Sequence, residues 1–416
     1  MKKRMQILSI LLIAMLVLAA CGSGTETDSD GNSSAGKKVE VTLWSYFSPD
    51  ESSGKTLVEM IEEFNSNSET TNVKVEFIPH GDYSQQVSIA VAGKSLPDIM
   101  MIDNPEHAQF ASMGVLADLT DKIKEWGQEE SYKEGPWAST IYDGKNYGIP
   151  FTSNALALYY NKDLFEQANI EKVPETWEEL EAAAAKLTQG NTYGFALAGT
   201  SGPEGVFHFM PFLMSAGSNF DDLENPEASK AMEFLTGLID KGYMSKEVVN
   251  WGQGDVKTQF VSGNVAMMVN GPWFLPDLTQ NSPDLNFGVA LLPKDKEFSS
   301  VLGGENLAIT AGSDEEEAWE FLKWISEFEQ NEKLTVSAGQ FSPRKDVSEQ
   351  NSHWKDDEFL SVFDEGVSVA KPRGPHPDWN KIAEAIQSNV HKSFTGVLDP
   401  KEATKQAAKE VNEIIK

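Results

Sequence analysis

Cysteine is almost absent. Cys21 is the only one in 416 residues, so no disulfide can form within the chain and the folded part must be held by packing alone. Long apolar runs are equally scarce: Met5 to Leu18 is uncharged but too short to span a bilayer comfortably, and no second such run follows. The six histidines, His80, His107, His208, His353, His376 and His391, are scattered without metal-ligand spacing. HExxH, P-loop, GxGxxG and GxSxG motifs are all missing, which leaves no signature of metalloprotease, nucleotide-binding or α/β-hydrolase chemistry. Ser52 and Lys55 form a Ser-x-x-Lys with no Lys-Thr-Gly partner, a chance match. Cationic charge is outweighed, with 34 Lys and Arg against 64 Asp and Glu, a net charge of -30 that opposes binding to nucleic acid or anionic lipid. With that many acidic residues, no single carboxylate pair singles itself out for glycoside hydrolysis.

What is present begins at the N-terminus. Lys2, Lys3 and Arg4 precede the apolar stretch, which ends in Leu18-Ala19-Ala20-Cys21, so residues 1–20 read as a secretory signal peptide. Leu-Ala-Ala-Cys resembles the bacterial lipobox, which implies that the Cys21 thiol is alkylated by diacylglycerol, the chain is cut before it, and the new amine is acylated. Cys21 is then the lipid anchor, since two or more acyl chains hold durably where one does not. Loss of three positive charges takes the net charge to -33. Residues 21–37, polar and rich in Gly, Ser, Asp and Asn, read as a flexible tether. What remains is too long for one hydrophobic core and predicts two lobes.

Ordered sequence is expected from Val39, where alternating Val-Glu-Val-Thr-Leu-Trp-Ser-Tyr predicts a strand. Leu57, Met60, Ile61 and Phe64 then fall at helical spacing, and Val73 to Ile78 predicts a second strand, making a βαβ unit. A helix around Tyr83 to Ala92 leads to the apolar run at 97–102, a buried parallel strand with Asp103 and Asn104 at its carboxyl end, where ligands bind in open α/β sheets. A hairpin turn is expected at 142–146, and Pro150 marks a break between lobes. Thr176 and Glu179 predict a capping box for a helix over 178–187. Further strands are expected at 265–269, 287–291 and 306–310, a helix over 315–328 capped by Ser313-Asp314, and a surface helix over 401–416.

Aromatic residues beside glycine or at strand ends stand out: Trp44, Trp273 in Asn-Gly-Pro-Trp, and Trp379 in Pro-His-Pro-Asp-Trp. A Trp face can stack on the apolar face of a sugar while Asp, Glu and Asn bond its hydroxyls.

The stretches 142–151 (Tyr-Asp-Gly-Lys-Asn-Tyr-Gly-Ile-Pro-Phe), 157–165 (Ala-Leu-Tyr-Tyr-Asn-Lys-Asp-Leu-Phe), 267–273 (Met-Met-Val-Asn-Gly-Pro-Trp) and 318–322 (Ala-Trp-Glu-Phe-Leu) carry a resemblance. With Leu-Pro-Asp-Ile at 96–99, the chain resembles the extracellular carbohydrate-binding proteins of ABC importers, the group that includes maltose-binding protein. The resemblance implies a periplasmic-binding-protein-like α/β fold: two α/β lobes with a hinge and a central ligand cleft. Lobe 1 would take residues 38–150 and 303–350, and lobe 2 residues 151–302 and 351–416. It further implies Asp103, Asn154, Trp273, Gly304, Glu305 and Trp379 as ligand contacts; Trp44, by its place at a strand end, Arg373 and His208 complete the expected set. No catalysis, cofactor or metal is implied. The expected partners are a small carbohydrate, ABC permease subunits and the membrane through Cys21, with no nucleic acid, and the protein is expected to be a monomer on the outer face of the cytoplasmic membrane. Rival readings are a binder of polyols or glycerophosphate-type ligands, for which Arg344 and Arg373 are the available cations, a secreted lipid-anchored glycosidase, and a sensor lipoprotein.

Overall fold

The structure, a computed structural model, describes residues 37–416; Cys21, the signal segment and nearly all of the tether lie outside the described residues. Strands β1 (Val39–Ser45), β2 (Thr71–Phe77), β3 (Ile99–Asp103) and β4 (Ile149–Pro150) belong to the first lobe. Strands β5 (Ala157–Asn161), β6 (Met267–Asn270) and β7 (Phe287–Ala290) belong to the second, and β8 (Glu305–Ile309) returns to the first. The first-lobe sheet runs β2-β1-β3-β8-β4, with β1 parallel to both β2 and β3 and with β8 antiparallel to β3. The second-lobe sheet runs β6-β5-β7, antiparallel throughout. The apolar run preceding β6 is buried because its sheet is covered on both faces, so it reads as continuous rather than alternating hydrophobicity.

Each sheet is sealed by helices whose apolar stripe meets it. Helix Ser52–Asn67 buries Leu57, Met60, Ile61 and Phe64 against Val41, Leu43 and Val73. Helix Glu315–Ile325 adds Trp319, Leu322 and Ile325 to the same core. That helix stops at Ile325, short of the expected Phe328, and its Glu315 carboxylate accepts from the Gly312 amide where Asp314 was expected to cap. Helix Trp177–Leu187 starts as its sequence predicts, with the Thr176 hydroxyl accepting from the Glu179 amide at 3.2 Å. The Glu179 carboxylate, however, accepts from Glu175 rather than Thr176. The C-terminal helix Pro400–Ile415 keeps one wet face and buries Ala403, Ala407, Ala408 and Val411 in the second-lobe core.

Three segments cross between the lobes side by side. Ser153 pairs with Phe341, and Asn154 pairs with Gly303, so the crossings at 151–154, 303–304 and 341 form a small ladder of their own. Phe341 and Val347 pack within the second-lobe cluster, which puts the third crossing ahead of residue 350. Arg344 nevertheless reaches back to the first lobe, donating to the Ser326 carbonyl at 2.9 Å. Among the described residues, no helix is long and apolar enough to cross a membrane.

Candidate functional site

A cavity of about 270 Å³ lies where the carboxyl ends of the first-lobe strands face the second lobe. The antiparallel register of β3 and β8 sets Asp103 directly beside Glu305, so two carboxylates stand at one sheet edge. Tyr46 and Phe47 follow β1, and His80 opens helix His80–Gly93. From the second lobe come Asn154, Glu204 and Phe207 on helix Pro203–Ser215, Trp273 and Phe274 after β6, and Arg373.

Two glycines shape the walls. Gly304 has φ of 138°, and a Cβ there would lie 2.3 Å from the Thr152 carbonyl oxygen, so only glycine lets the crossings at 151–154 and 303–304 close up. At Gly271 a Cβ would sit 1.9 Å from the Trp273 ring, which is why the indole can fold back over the strand end. That indole is half-buried and stacked with Phe207, centroids 6.2 Å apart and planes 27° from parallel. The Arg373 guanidinium lies 4.4 Å from the Phe207 ring centre.

Direct contacts bridge the lobes, so the structure is a closed form. Arg373 donates to both Asp103 oxygens, at 2.8 and 2.7 Å, a bidentate pair with both residues buried. His80 Nδ1 lies 3.4 Å from Glu204, and Lys257 lies 3.2 Å from Glu51. Burial pulls the His80 imidazole down, but the Glu204 carboxylate more than offsets it, and its pKa is raised. Glu305 differs from its acidic neighbours. Its backbone amide donates to the Thr152 hydroxyl, which in turn donates to its carboxylate. Burial, reinforced by the Asp103 charge, pushes its pKa up to about 7. Burial and then Glu305 likewise hold the Tyr46 hydroxyl well above its ordinary range. Four residues of the lining each carry a buried atom without a partner: Tyr46 Oη, Asn154 Oδ1, Gln340 Oε1 and Arg373 Nε. Such a set of polar atoms among aromatic walls suits a polyhydroxylated ligand.

Asp103, Asn154, Trp273, Gly304, Glu305 and Arg373 are thus brought together at the cavity. Trp44, His208 and Trp379 are not. Trp44 lies within β1, not after it, and its indole donates to Glu76 at 2.9 Å along the neighbouring strand. Tyr46 and Phe47 are the aromatics that the strand end presents. His208 is fully buried and accepts from the Ala198 amide at 3.2 Å; burial lowers its pKa to about 4, as for a neutral core imidazole. Trp379 begins helix Trp379–Phe394 and is 1% exposed, edge-on to Phe220 in the second-lobe core. Arg344, the other candidate cation, is held by Asp346 and stands away from the cavity. His80, Glu204, Phe207 and Gln340 went unpredicted. Among the described residues, no group of three or more His, Cys, Asp or Glu is arranged to hold a metal.

Two hinged α/β lobes closed over a polar cavity with aromatic walls define a solute-binding protein. The sequence profile of the bacterial extracellular solute-binding proteins matches residues 59–360, and the chain belongs to that family. It is 25% identical to the multiple sugar-binding protein of Streptococcus mutans, over 78% of each chain. It is 23% identical to the maltooligosaccharide ABC transporter solute-binding lipoprotein of Streptococcus pneumoniae, over 100% of this chain and 97% of that one. The fold matches that of an ABC transporter solute-binding protein from Thermotoga lettingae bound with α-D-tagatose, with a TM-score of 0.84, 29% identity, and coverage of 91% of this chain and 100% of that chain. These are sugar-binding proteins rather than enzymes, which removes the glycosidase reading.

Proposed function

We propose that this protein is the lipid-anchored receptor of an ABC importer, capturing a small sugar by closure of its lobes and delivering it to the permease. The observation that carries the reading is the gathering, at one cavity, of the half-buried Trp273 indole with the polar side chains of Asp103, Asn154, Glu305, Gln340 and Arg373. Polar groups left unpaired in a closed cleft cost about 1–3 kcal/mol each, and a polyhydroxylated ligand pairs those that face the cavity. A cavity of about 270 Å³ is at the small end for ligand sites, which favours a mono- or disaccharide over a long oligomer. The relatives above, one bound with a sugar and one named for binding sugars, support the same class.

The phosphate-binding alternative is weakened because the Arg373 charge is already paired with Asp103 through a bidentate contact. The lipobox-like sequence ending at Cys21, and a relative described as a lipoprotein, support anchoring at the outer face of the membrane. A thermal-shift screen of the full chain in detergent against sugars, polyols and glycerophosphate compounds tests the ligand class, since a ligand that binds only the folded state raises Tm. Stabilisation confined to sugars supports the reading, and stabilisation only by phosphorylated compounds overturns it. Release of the protein from membranes by Cys21→Ser tests the anchor.

A further inference from the structure

Three of the carboxylates around the cavity have a cation across the cleft: Asp103 has Arg373, Glu204 has His80, and Glu51 has Lys257. Glu305 has none. Among the described residues, no Lys, Arg or His nitrogen lies within 4.0 Å of it, and its one side-chain partner is the neutral Thr152 hydroxyl. It is 8% exposed at the edge of a closed cavity. A buried carboxylate without a counter-ion is unfavourable. Close by, Asn154 and Gln340, each 3% exposed, line the same cavity with amide oxygens that no donor reaches. The neutral polar groups of the lining include both donors and acceptors, so Glu305 is what gives the unsatisfied set its negative charge.

We propose that the ligand is an amino sugar bearing a free ammonium group, with Glu305 as its counter-ion. The inference rests on the sugar-binding reading above and narrows it. A hexosamine offers the aromatic wall an apolar ring face, offers the polar lining hydroxyl groups, and supplies the cation that Glu305 lacks in contact. An N-acetylated sugar, being neutral, does not. The raised affinity of Glu305 for a proton accords with a site waiting for positive charge.

The test is calorimetric titration of the full chain in detergent, at pH 7.5 and low salt, with glucosamine, galactosamine and mannosamine and their β-1,4-linked dimers. Each is run beside its neutral parent and its N-acetyl counterpart. The expected result is that one amine binds about tenfold tighter than both counterparts, and that Glu305→Gln brings the ratio to about one. Neutral or N-acetyl forms that bind as tightly as the amine overturn the inference and leave the sugar reading standing, as does an amine preference that survives Glu305→Gln in respect of Glu305. Absence of binding by every sugar overturns both. Melting of the variant without ligand, at or above that of the parent, separates lost recognition from lost folding.

Discussion

Replacing Glu305 by Gln should stabilise the ligand-free protein at pH 8 and flatten its stability between pH 5 and pH 8. Burial beside Asp103 raises the folded-state pKa of Glu305 from an ordinary 4.5 to about 7. Between those values the folded protein holds a proton that the unfolded chain has released. The contribution of Glu305 is thus fully present below about pH 4.5 and is lost as pH rises through about 7. A difference of about 2.5 pH units at about 1.36 kcal/mol each is about 3 kcal/mol. Glutamine keeps an oxygen for the Thr152 hydroxyl and carries no charge at any pH, so the variant avoids this loss. With an unfolding entropy of about 2.1 cal/mol/K per residue over about 380 residues, 3 kcal/mol raises Tm by about 4 °C at pH 8, and by about zero at pH 4.5. Scanning calorimetry of both proteins without ligand at pH 5 and pH 8 reads the difference. A variant that melts lower than the parent at pH 8, or one whose advantage does not grow with pH, would refute the assignment of Glu305 as an uncompensated buried carboxylate.

Trp273→Ala removes the stacking face and should weaken sugar binding by about 1–2 kcal/mol, or about five- to thirtyfold in Kd, while the half-buried position keeps the melting change small; an unchanged Kd would take Trp273 out of the site. Arg373→Met leaves Asp103 buried without its bidentate partner and should cost about 3–5 kcal/mol in chemical denaturation, with neutral and phosphorylated compounds losing affinity alike. A loss confined to phosphorylated compounds would restore the phosphate reading. Gly304→Ala places a Cβ against the Thr152 carbonyl at a backbone angle foreign to alanine, and should destabilise the protein by about 2 kcal/mol or more; wild-type melting would show that the hinge ladder tolerates the opening.

The sheets were legible because strand burial leaves a local trace. Alternation marks β1, whose inner residues Val41 and Leu43 are buried, while unbroken apolarity marks β3 and the run into β6. Asp103 was reachable by the same logic, since a polar residue just beyond an apolar run falls at the carboxyl end of a strand, whereas Glu305, which precedes its run, was reached only through the resemblance of Gly303-Gly304-Glu305-Asn306. Trp44 misled because β1 runs one residue past it, and in a strand each residue of offset turns a side chain to the other face. Trp379 sits among prolines, a setting that says nothing of burial, and the helix it opens turns it into the core. His80 and Glu204 carry no local signal at all. Their elements are 124 positions apart in the sequence, and they meet only because the lobes close, a tertiary fact with no periodicity behind it. The carboxylate pairing across the cleft, and hence the isolation of Glu305, was invisible for the same reason.

The measurement that bears most directly on the account is a calorimetric titration of a sugar identified by thermal shift into the full chain and into Trp273→Ala. Saturable binding of one mono- or disaccharide per chain, weakened at least fivefold by the substitution, is the predicted result. Heats absent for every sugar that fits the cavity, or binding indifferent to Trp273, would contradict the claim that this cleft is a sugar site.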